Sequence, residues 1–265
     1  MNISNTLIDE LSAVAQSAAD AANRVTLSYF RGRALDTRNK QAGGFDPVTR
    51  ADREAETAIR EVLHELRPDD GILGEEHDNR AGTSGLTWVL DPIDGTRGYM
   101  SGTPTWGTLI SVGDDAGPIL GLIEQPYIGE RFMGTPQGAW LKRGAARQEI
   151  RVADPVPLER ATIFTTFPEV GDDGQKAAFH RLARQTQLTR YGMDCYAYAL
   201  LAAGQIDLVV EAGLASYDIH APCAVVQAAG GILTDWQGQP AHHGGTALAA
   251  SCPDLHAAAL EILNA

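Results

Sequence analysis

Apolar positions at the start of the chain recur three, four or seven apart: Ile3, Leu7, Leu11, Val14, Ala18, Ala21, Val25 and Tyr29. Asp9, Glu10, Asp20 and Arg24 fall off that stripe. This 3.6-residue period predicts an amphipathic helix, which Gly32 ends. After a loop over residues 39–47, residues 49–66 predict a second helix, with Thr49 as N-cap and Asp52 in the first turn. From residue 72 the pattern shortens. Segments 72–74, 88–90, 108–112 and 119–123 predict strands, and short segments at 131–133 and 139–141 complete an antiparallel meander. Pro155 and Pro157 break the chain within 151–158 and divide it into parts 1–150 and 151–265. In the second part, strands predicted at 162–166, 188–191 and 206–211 alternate with helices at 175–186, 196–203, 219–229 and 253–263, an α/β arrangement.

Composition narrows the class. The chain has 265 residues, 44% hydrophobic and 21% charged, an ordinary globular mixture that excludes a disordered chain, a collagen and a disulfide scaffold. Its 21 basic residues against 34 acidic ones give a net charge of −13. That excess argues against a nucleic-acid or anionic-membrane binder, because phosphate backbones attract basic faces. A small phosphorylated substrate is still compatible, given local positive charge. No run reaches the ~18 apolar residues of a membrane span. The first residues carry no basic leader and apolar stretch, so no signal peptide is expected. Cys195, Cys223 and Cys252 are odd in number and scattered, as free thiols are. A cytoplasmic location is the resulting expectation.

Three short acidic segments adjoin apolar runs: Gly74-Glu75-Glu76-His77, Asp91-Pro92-Ile93-Asp94-Gly95-Thr96 and Ser216-Tyr217-Asp218-Ile219. If Glu75, Asp91, Asp94 and Asp218 converge, each carboxylate raises the pKa of the others. A hard divalent cation resolves that repulsion, and an all-oxygen set suits Mg²⁺ or Mn²⁺ in preference to zinc. A tight turn at Pro92 and Gly95 would send both aspartates and the Ile93 carbonyl to one side, with Asp91 able to bridge two metals. If a helix starts at Gly95-Thr96, its free N–H groups would hold phosphate oxygens. Alone, an Asp-Pro-Ile-Asp-Gly-Thr run reads as a surface turn; the flanking Gly-Glu-Glu and Asp218 change its meaning.

These segments, with Ala228-Ala229-Gly230-Gly231 after Asp218, resemble the inositol monophosphatase superfamily, Mg²⁺-dependent and lithium-sensitive phosphomonoesterases. The resemblance runs along nearly the whole chain. It is greatest to the histidinol-phosphatase branch, through Gly74-Glu75-Glu76-His77, residues 95–108, residues 190–198 and residues 207–214. The resemblance implies an α+β fold, a layered α-β-α-β-α sandwich, and a homodimer. It implies that Glu75, Asp91 and the Ile93 carbonyl hold one metal, and Asp91, Asp94 and Asp218 a second, with a third near Glu75. Thr96, its hydroxyl paired with Asp46, would help to activate water, and Glu76 would support the site from behind. Gly43-Gly44 and Arg50 depart from the family's usual residues in that region.

The implied activity is hydrolysis of L-histidinol phosphate to L-histidinol and phosphate, in histidine biosynthesis. One general acid or base contributes roughly 10²–10⁴-fold, whereas phosphomonoester hydrolysis calls for up to ~10²¹-fold. A metal-activated water attacking in line is therefore expected, without a phosphoenzyme. Histidinol carries an ammonium and an imidazole, so its pocket should present carboxylates. Asp194 and Glu211 are the candidates, with Gly95, Thr96, Arg97, Arg190 and Asp218 completing the substrate site. Asp194 also reads as the N-cap of the following helix, and Arg97 and Arg190 as structural or subunit-interface ion pairs. His77, His220, Trp106 and Trp140 read as packing residues, and His242-His243 as an exposed loop. The alternatives are an inositol-1-monophosphatase or another sugar or nucleotide phosphatase and, outside enzymes, a silent homologue that only binds phosphorylated ligands.

Overall fold

The inner strands of this chain bury both faces, and the alternation of their side chains builds the molecule in layers. The computed structural model describes residues 4–32, the backbone of 38–39 and 47–48, and residues 49–265. Its elements begin with α1 (Asn5–Tyr29), β1 (Arg38–Asn39), β2 (Pro47–Val48) and α2 (Arg50–Leu66). Then come β3 (Gly71–Gly74), β4 (Thr87–Asp94), α3 (Thr96–Ser101), β5 (Gly107–Asp114), β6 (Gly117–Gln125), β7 (Glu130–Thr135), β8 (Gly138–Arg143) and β9 (Ala146–Glu149). The rest of the chain forms β10 (Thr162–Thr165), α4 (Asp173–Ala183), β11 (Leu188–Tyr191), α5 (Cys195–Ala202), β12 (Leu208–Leu214), α6 (Ser216–Ala228), β13 (Ile232–Thr234), β14 (Gly245–Ala250) and α7 (Pro253–Leu263).

Strands β3 to β9 form one seven-stranded sheet in sequence order. Only β3 and β4 run parallel; the others form the expected meander. The second sheet has the order β11-β10-β12-β14-β13 and is mixed, with β11, β10 and β12 parallel and β14 antiparallel to both of its neighbours.

Period-2 side chains decide what each sheet face meets. Ile110, Val112, Leu120, Leu122 and Met133 of the first sheet pack with Leu11, Val14, Ala18, Ile59 and Leu63 of α1 and α2. Their neighbours Leu109, Ile123, Phe132 and Leu141 turn the other way, into a core with α5, α6 and one face of the second sheet. Val209, Ala247 and Ala249 join that central core, while Leu208, Val210, Leu248 and Ala250 face α4 and α7. The result is the expected α-β-α-β-α sandwich. Each large side chain so buried contributes about 1.5–3 kcal/mol.

Helix α6 lies closest to a sheet. A Cβ on Gly121 would collide with Ala221 O, and one on Gly134 would come within 2.5 Å of Ala224 O and of Val225 Cα. These two glycines let the helix backbone rest on β6 and β7. The sequence does not signal β9, β13 or β14. β14 is built mostly from Gly, Ala and Leu, which have little strand preference, yet it is an inner strand, and Ala247 and Ala249 fit beneath the central helices. Helix α6 also starts at Ser216, earlier than the predicted residue 219. The three cysteines are free and buried. No helix among the described residues is long and apolar enough to cross a membrane.

Candidate active site

The end of β4 carries the acidic turn. Register with β5 shifts between Asp91 and Asp94, so the segment is a bulge in a paired strand, where a free turn was expected. Its backbone groups are satisfied locally: Thr108 Oγ1 donates to Pro92 O at 2.8 Å, and Ile93 N donates to Asp91 Oδ1 at 3.0 Å. Gly95 follows with φ +83°, and α3 begins at Thr96. A side chain at Gly95 would be strained at that φ and would also crowd the Asp194 carboxylate, 2.9 Å from the Cβ position.

Two other elements bring carboxylates to this bulge. Asp218 sits in the first turn of α6, where its Oδ2 accepts from Ala215 N at 2.7 Å. Asp91, Asp94 and Asp218 each offer an oxygen within 4.8 Å of the other two. Glu75, just after β3, lines the same cleft. Burial first, then the charges of Glu75, Asp94 and Asp218, push Asp91 well above the ordinary carboxylate range. Burial and the charges of Asp194 and Asp218 do the same to Asp94, although Cys195 N donates to Asp94 Oδ2 at 2.6 Å. A buried, all-oxygen, mutually repelling set is the donor chemistry of a hard divalent cation, whose charge would reverse those shifts. The residues present therefore fit such an ion: Glu75, Asp91, the Ile93 carbonyl, Asp94 and Asp218.

Helix α2 supplies two residues that the sequence reading left out of the site. Thr96 Oγ1 lies 3.1 Å from Ile93 O and 3.4 Å from Asp52 Oδ1. The partner expected for Thr96 was Asp46, which lies outside the described residues; among the described residues the carboxylate beside the hydroxyl is that of Asp52. Asp52 also closes the capping box of α2, with Oδ2 accepting from Thr49 N at 2.9 Å and from the Thr49 hydroxyl. Burial raises it to about 6, against those hydrogen bonds. One turn on, buried Glu56 accepts from Glu76 N at 2.7 Å and from Arg60 Nε at 2.7 Å. Glu56 thereby holds the Glu75-Glu76 segment against α2. Glu76 itself is not among the residues lining the cleft.

The cleft, of about 530 Å³, extends from the carboxylates to Thr166, Phe167, Asp194, Tyr198 and Glu211. Glu211 is buried and accepts from Thr166 N at 2.6 Å, Thr166 Oγ1 at 2.8 Å and Thr165 Oγ1 at 3.2 Å. Burial outweighs these donors and raises it to about 8. Asp194 precedes α5, but its side chain makes no capping bond; its backbone sits at φ 45°, unusual for a non-glycine residue. Burial raises Asp194 to about 6, and Arg97 opposes that rise. The Arg97 guanidinium also lies 4.7 Å from the centre of the half-exposed Phe167 ring. Arg190 departs from expectation. It is exposed on β11, the edge strand of the second sheet, and does not line the cleft; β10 stands between it and β12, which carries Glu211. His77 and His220 make packing contacts, His220 through Ser111 at 2.7 Å. His242 is half-buried, with its ring 6.0 Å from that of His220, so the expected exposed loop is only partly exposed.

The family model described as inositol monophosphatase family matches residues 7–265. The chain belongs to the inositol monophosphatase family. As a member it is a phosphatase. The bifunctional phosphatase IMPL2, chloroplastic, of Arabidopsis thaliana is 38% identical over 273 aligned residues, which span 99% of this chain and 77% of that protein. The histidinol-phosphatase of Streptomyces coelicolor is 35% identical over 97% of each chain. Among solved structures, an inositol monophosphatase from Zymomonas mobilis superimposes with a TM-score of 0.85 at 34% identity, covering 99% of this chain and 100% of that one. Relatives named for two different leaving groups thus stand at nearly equal identity.

Proposed function

We propose that this phosphatase hydrolyses L-histidinol phosphate to L-histidinol and phosphate, with Mg²⁺ as its metal. The observation that supports this is the acidic lining of the cleft beyond the metal-site carboxylates. Half-buried Asp194 and buried Glu211 line it together, and two such carboxylates suit an ammonium and an imidazole better than the neutral hydroxyls of inositol. Both carboxylates are raised by burial, so a cationic ligand would draw them back to the ionised form.

In this reading Glu75, Asp91, Ile93 O, Asp94 and Asp218 hold the ions, and Gly95, Thr96 and Arg97 lie beside the phosphate. Bound Mg²⁺ supplies positive charge that offsets the phosphate oxygens and makes a water more acidic. In this reading Thr96 Oγ1 and Asp52 Oδ1, 3.4 Å apart, would take up that water's proton, with burial raising Asp52 to about 6. Direct displacement is favoured over a phosphoenzyme, since burial and the surrounding carboxylates raise the Cys195 thiol and burial raises the Cys223 thiol to about 12. A homodimer in the cytoplasm completes the reading. Inositol-1-monophosphatase is the second reading, favoured by the Zymomonas mobilis likeness.

The test is phosphate release from histidinol phosphate, inositol 1-phosphate and a nucleotide bisphosphate, with Mg²⁺ and with chelator. Histidinol phosphate should be the best substrate, and chelator should stop turnover. Preference for inositol phosphate would overturn the leaving-group assignment; activity indifferent to chelator would overturn the metal chemistry. Asp94→Asn should abolish turnover while the far-UV spectrum stays that of the parent.

A further inference from the structure

Among the described residues that line the cleft, one large apolar side chain is exposed: Phe167, at 43%. It lies just after β10. The Arg97 guanidinium covers one face of its ring, 4.7 Å from the centre, and much of the rest is open. Distances on the neighbouring residues place this ring beside the acidic lining. Thr166 donates from N and Oγ1 to Glu211 Oε1 at 2.6 and 2.8 Å. One peptide unit further on, the Phe167 Cα is therefore no more than about 8 Å from that carboxylate oxygen. Arg97, which packs on the ring, is flanked by Gly95 and Gly98, whose Cβ positions would lie 2.9 and 3.8 Å from the Asp194 carboxylate. A ligand held by Asp194 and Glu211 is thus within reach of Phe167, and a few polar groups beside an uncovered aromatic wall are the usual furniture of a small-molecule pocket.

We propose that Phe167 is a specificity-determining residue, whose ring stacks on the flat unsaturated ring of the leaving group, so that the cleft selects esters of alcohols that carry both an aromatic ring and a cationic nitrogen. The inference deepens the histidinol phosphate reading above and rests on it. Asp194 and Glu211 supply charge and acceptors for the nitrogens of such an alcohol; Phe167 supplies a surface for its ring. A neutral imidazole stacks on a phenyl ring in an offset arrangement, and a protonated one is drawn to the ring's negative face. The same surface offers little to inositol. That ring is saturated, and its hydroxyls would lose water against a phenyl group without gaining partners. Phe167 touches no reacting atom in this reading, so it sets affinity and leaves the chemical step to the residues around the bulge.

The experiment compares the parent with Phe167→Leu, which keeps apolar bulk and removes the ring, and with Phe167→Tyr, which keeps the ring. The position is exposed, so both variants should fold as the parent does, checked by far-UV spectrum. For histidinol phosphate, KM should rise about three- to tenfold in Phe167→Leu, while kcat changes by less than about twofold. Calorimetric titration in Mg²⁺ separates the parts of the ligand. L-histidinol should bind Phe167→Leu about three- to tenfold more weakly than the parent. L-leucinol, which has the same ammonium and hydroxyl but no aromatic ring, and inorganic phosphate should each change by less than about twofold. Phe167→Tyr should restore L-histidinol binding to within about twofold of the parent. Equal losses for L-histidinol and L-leucinol, or no loss for either, would overturn the proposal. So would weakened inorganic phosphate, which would make Phe167 a mere support for Arg97. A parent that turns over histidinol phosphate while Phe167→Leu matches it in KM would overturn this inference alone. A parent that neither turns over histidinol phosphate nor binds L-histidinol would overturn the leaving-group reading and this inference with it.

Discussion

Asp52 does two things with one side chain. One carboxylate oxygen closes the capping box of α2 and the other faces Thr96. Asp52→Asn should therefore lose most turnover and, through the weakened cap, about 0.5–2 kcal/mol of stability; kcat and the urea midpoint measure the two separately. The sequence makes the first role legible, through Thr49 and the helix that follows it, but not the second, which depends on a bulge more than forty residues away. The Asp91–Asp94 pair was legible because it brackets a proline and is followed at once by a glycine; the place of Arg190 was not, because strand spacing alone does not say that β11 is an edge strand with β10 between it and the cleft. Glu211 gives a pH prediction. Its carboxyl is raised from 4.5 to about 8, so the folded chain binds that proton more tightly than the unfolded one. Stability from this group is complete below the ordinary Glu range and is lost as pH rises toward 8. With chelator present, the melting temperature of the parent should fall between pH 5 and pH 8. Glu211→Gln, whose amide oxygen can still accept from Thr166, should fall less over the same range. Identical slopes for parent and variant would refute the assignment.

At the scale of elements, the contact between α6 and the first sheet sets tight limits. Valine at Gly134 would place a branched side chain against the backbone of Ala224 and Val225, which cannot give way as a side-chain tip could. Gly134→Val should cost about 1–3 kcal/mol or more, read as a lower denaturant midpoint. The same change at Gly138, where nothing lies within 4 Å, meets no neighbour but is strained by its φ of +125°. That contact was invisible in the sequence, where Gly121 and Gly134 read only as small residues in strands. The helices were legible because their apolar stripes are long. β4, β5 and β6 were too, because Val, Ile and Leu dominate them. β14 was not, because alanine carries no strand signal and what selects it is the narrow space under α5 and α6.

For the whole molecule, the net charge of −13 and the carboxylate cluster both work against folding in the absence of cations, and a divalent ion answers the second. Mg²⁺ at about 100 times its dissociation constant should stabilise the fold by about 2.7 kcal/mol. For a chain of this size that is a rise in melting temperature of roughly 5–10 °C, abolished by chelator and absent in Asp94→Asn. Scanning calorimetry with and without Mg²⁺ measures it, and an unchanged midpoint would count against a cation among Glu75, Asp91, Asp94 and Asp218. The layered architecture was legible only as two half-patterns, a meander and an α/β alternation. That they share a middle layer is a tertiary fact, since α6 follows β12 in the chain but rests on β6 and β7.

Helix α6 is the keystone of that middle layer, and it delivers Asp218 at its first turn. Its buried face belongs to the core shared by the two sheets. Catalytic competence and global architecture are consequently one property of this chain. Warming cannot loosen the carboxylate cage by fraying a peripheral lid, because one wall of the cage is the beam on which both sheets rest.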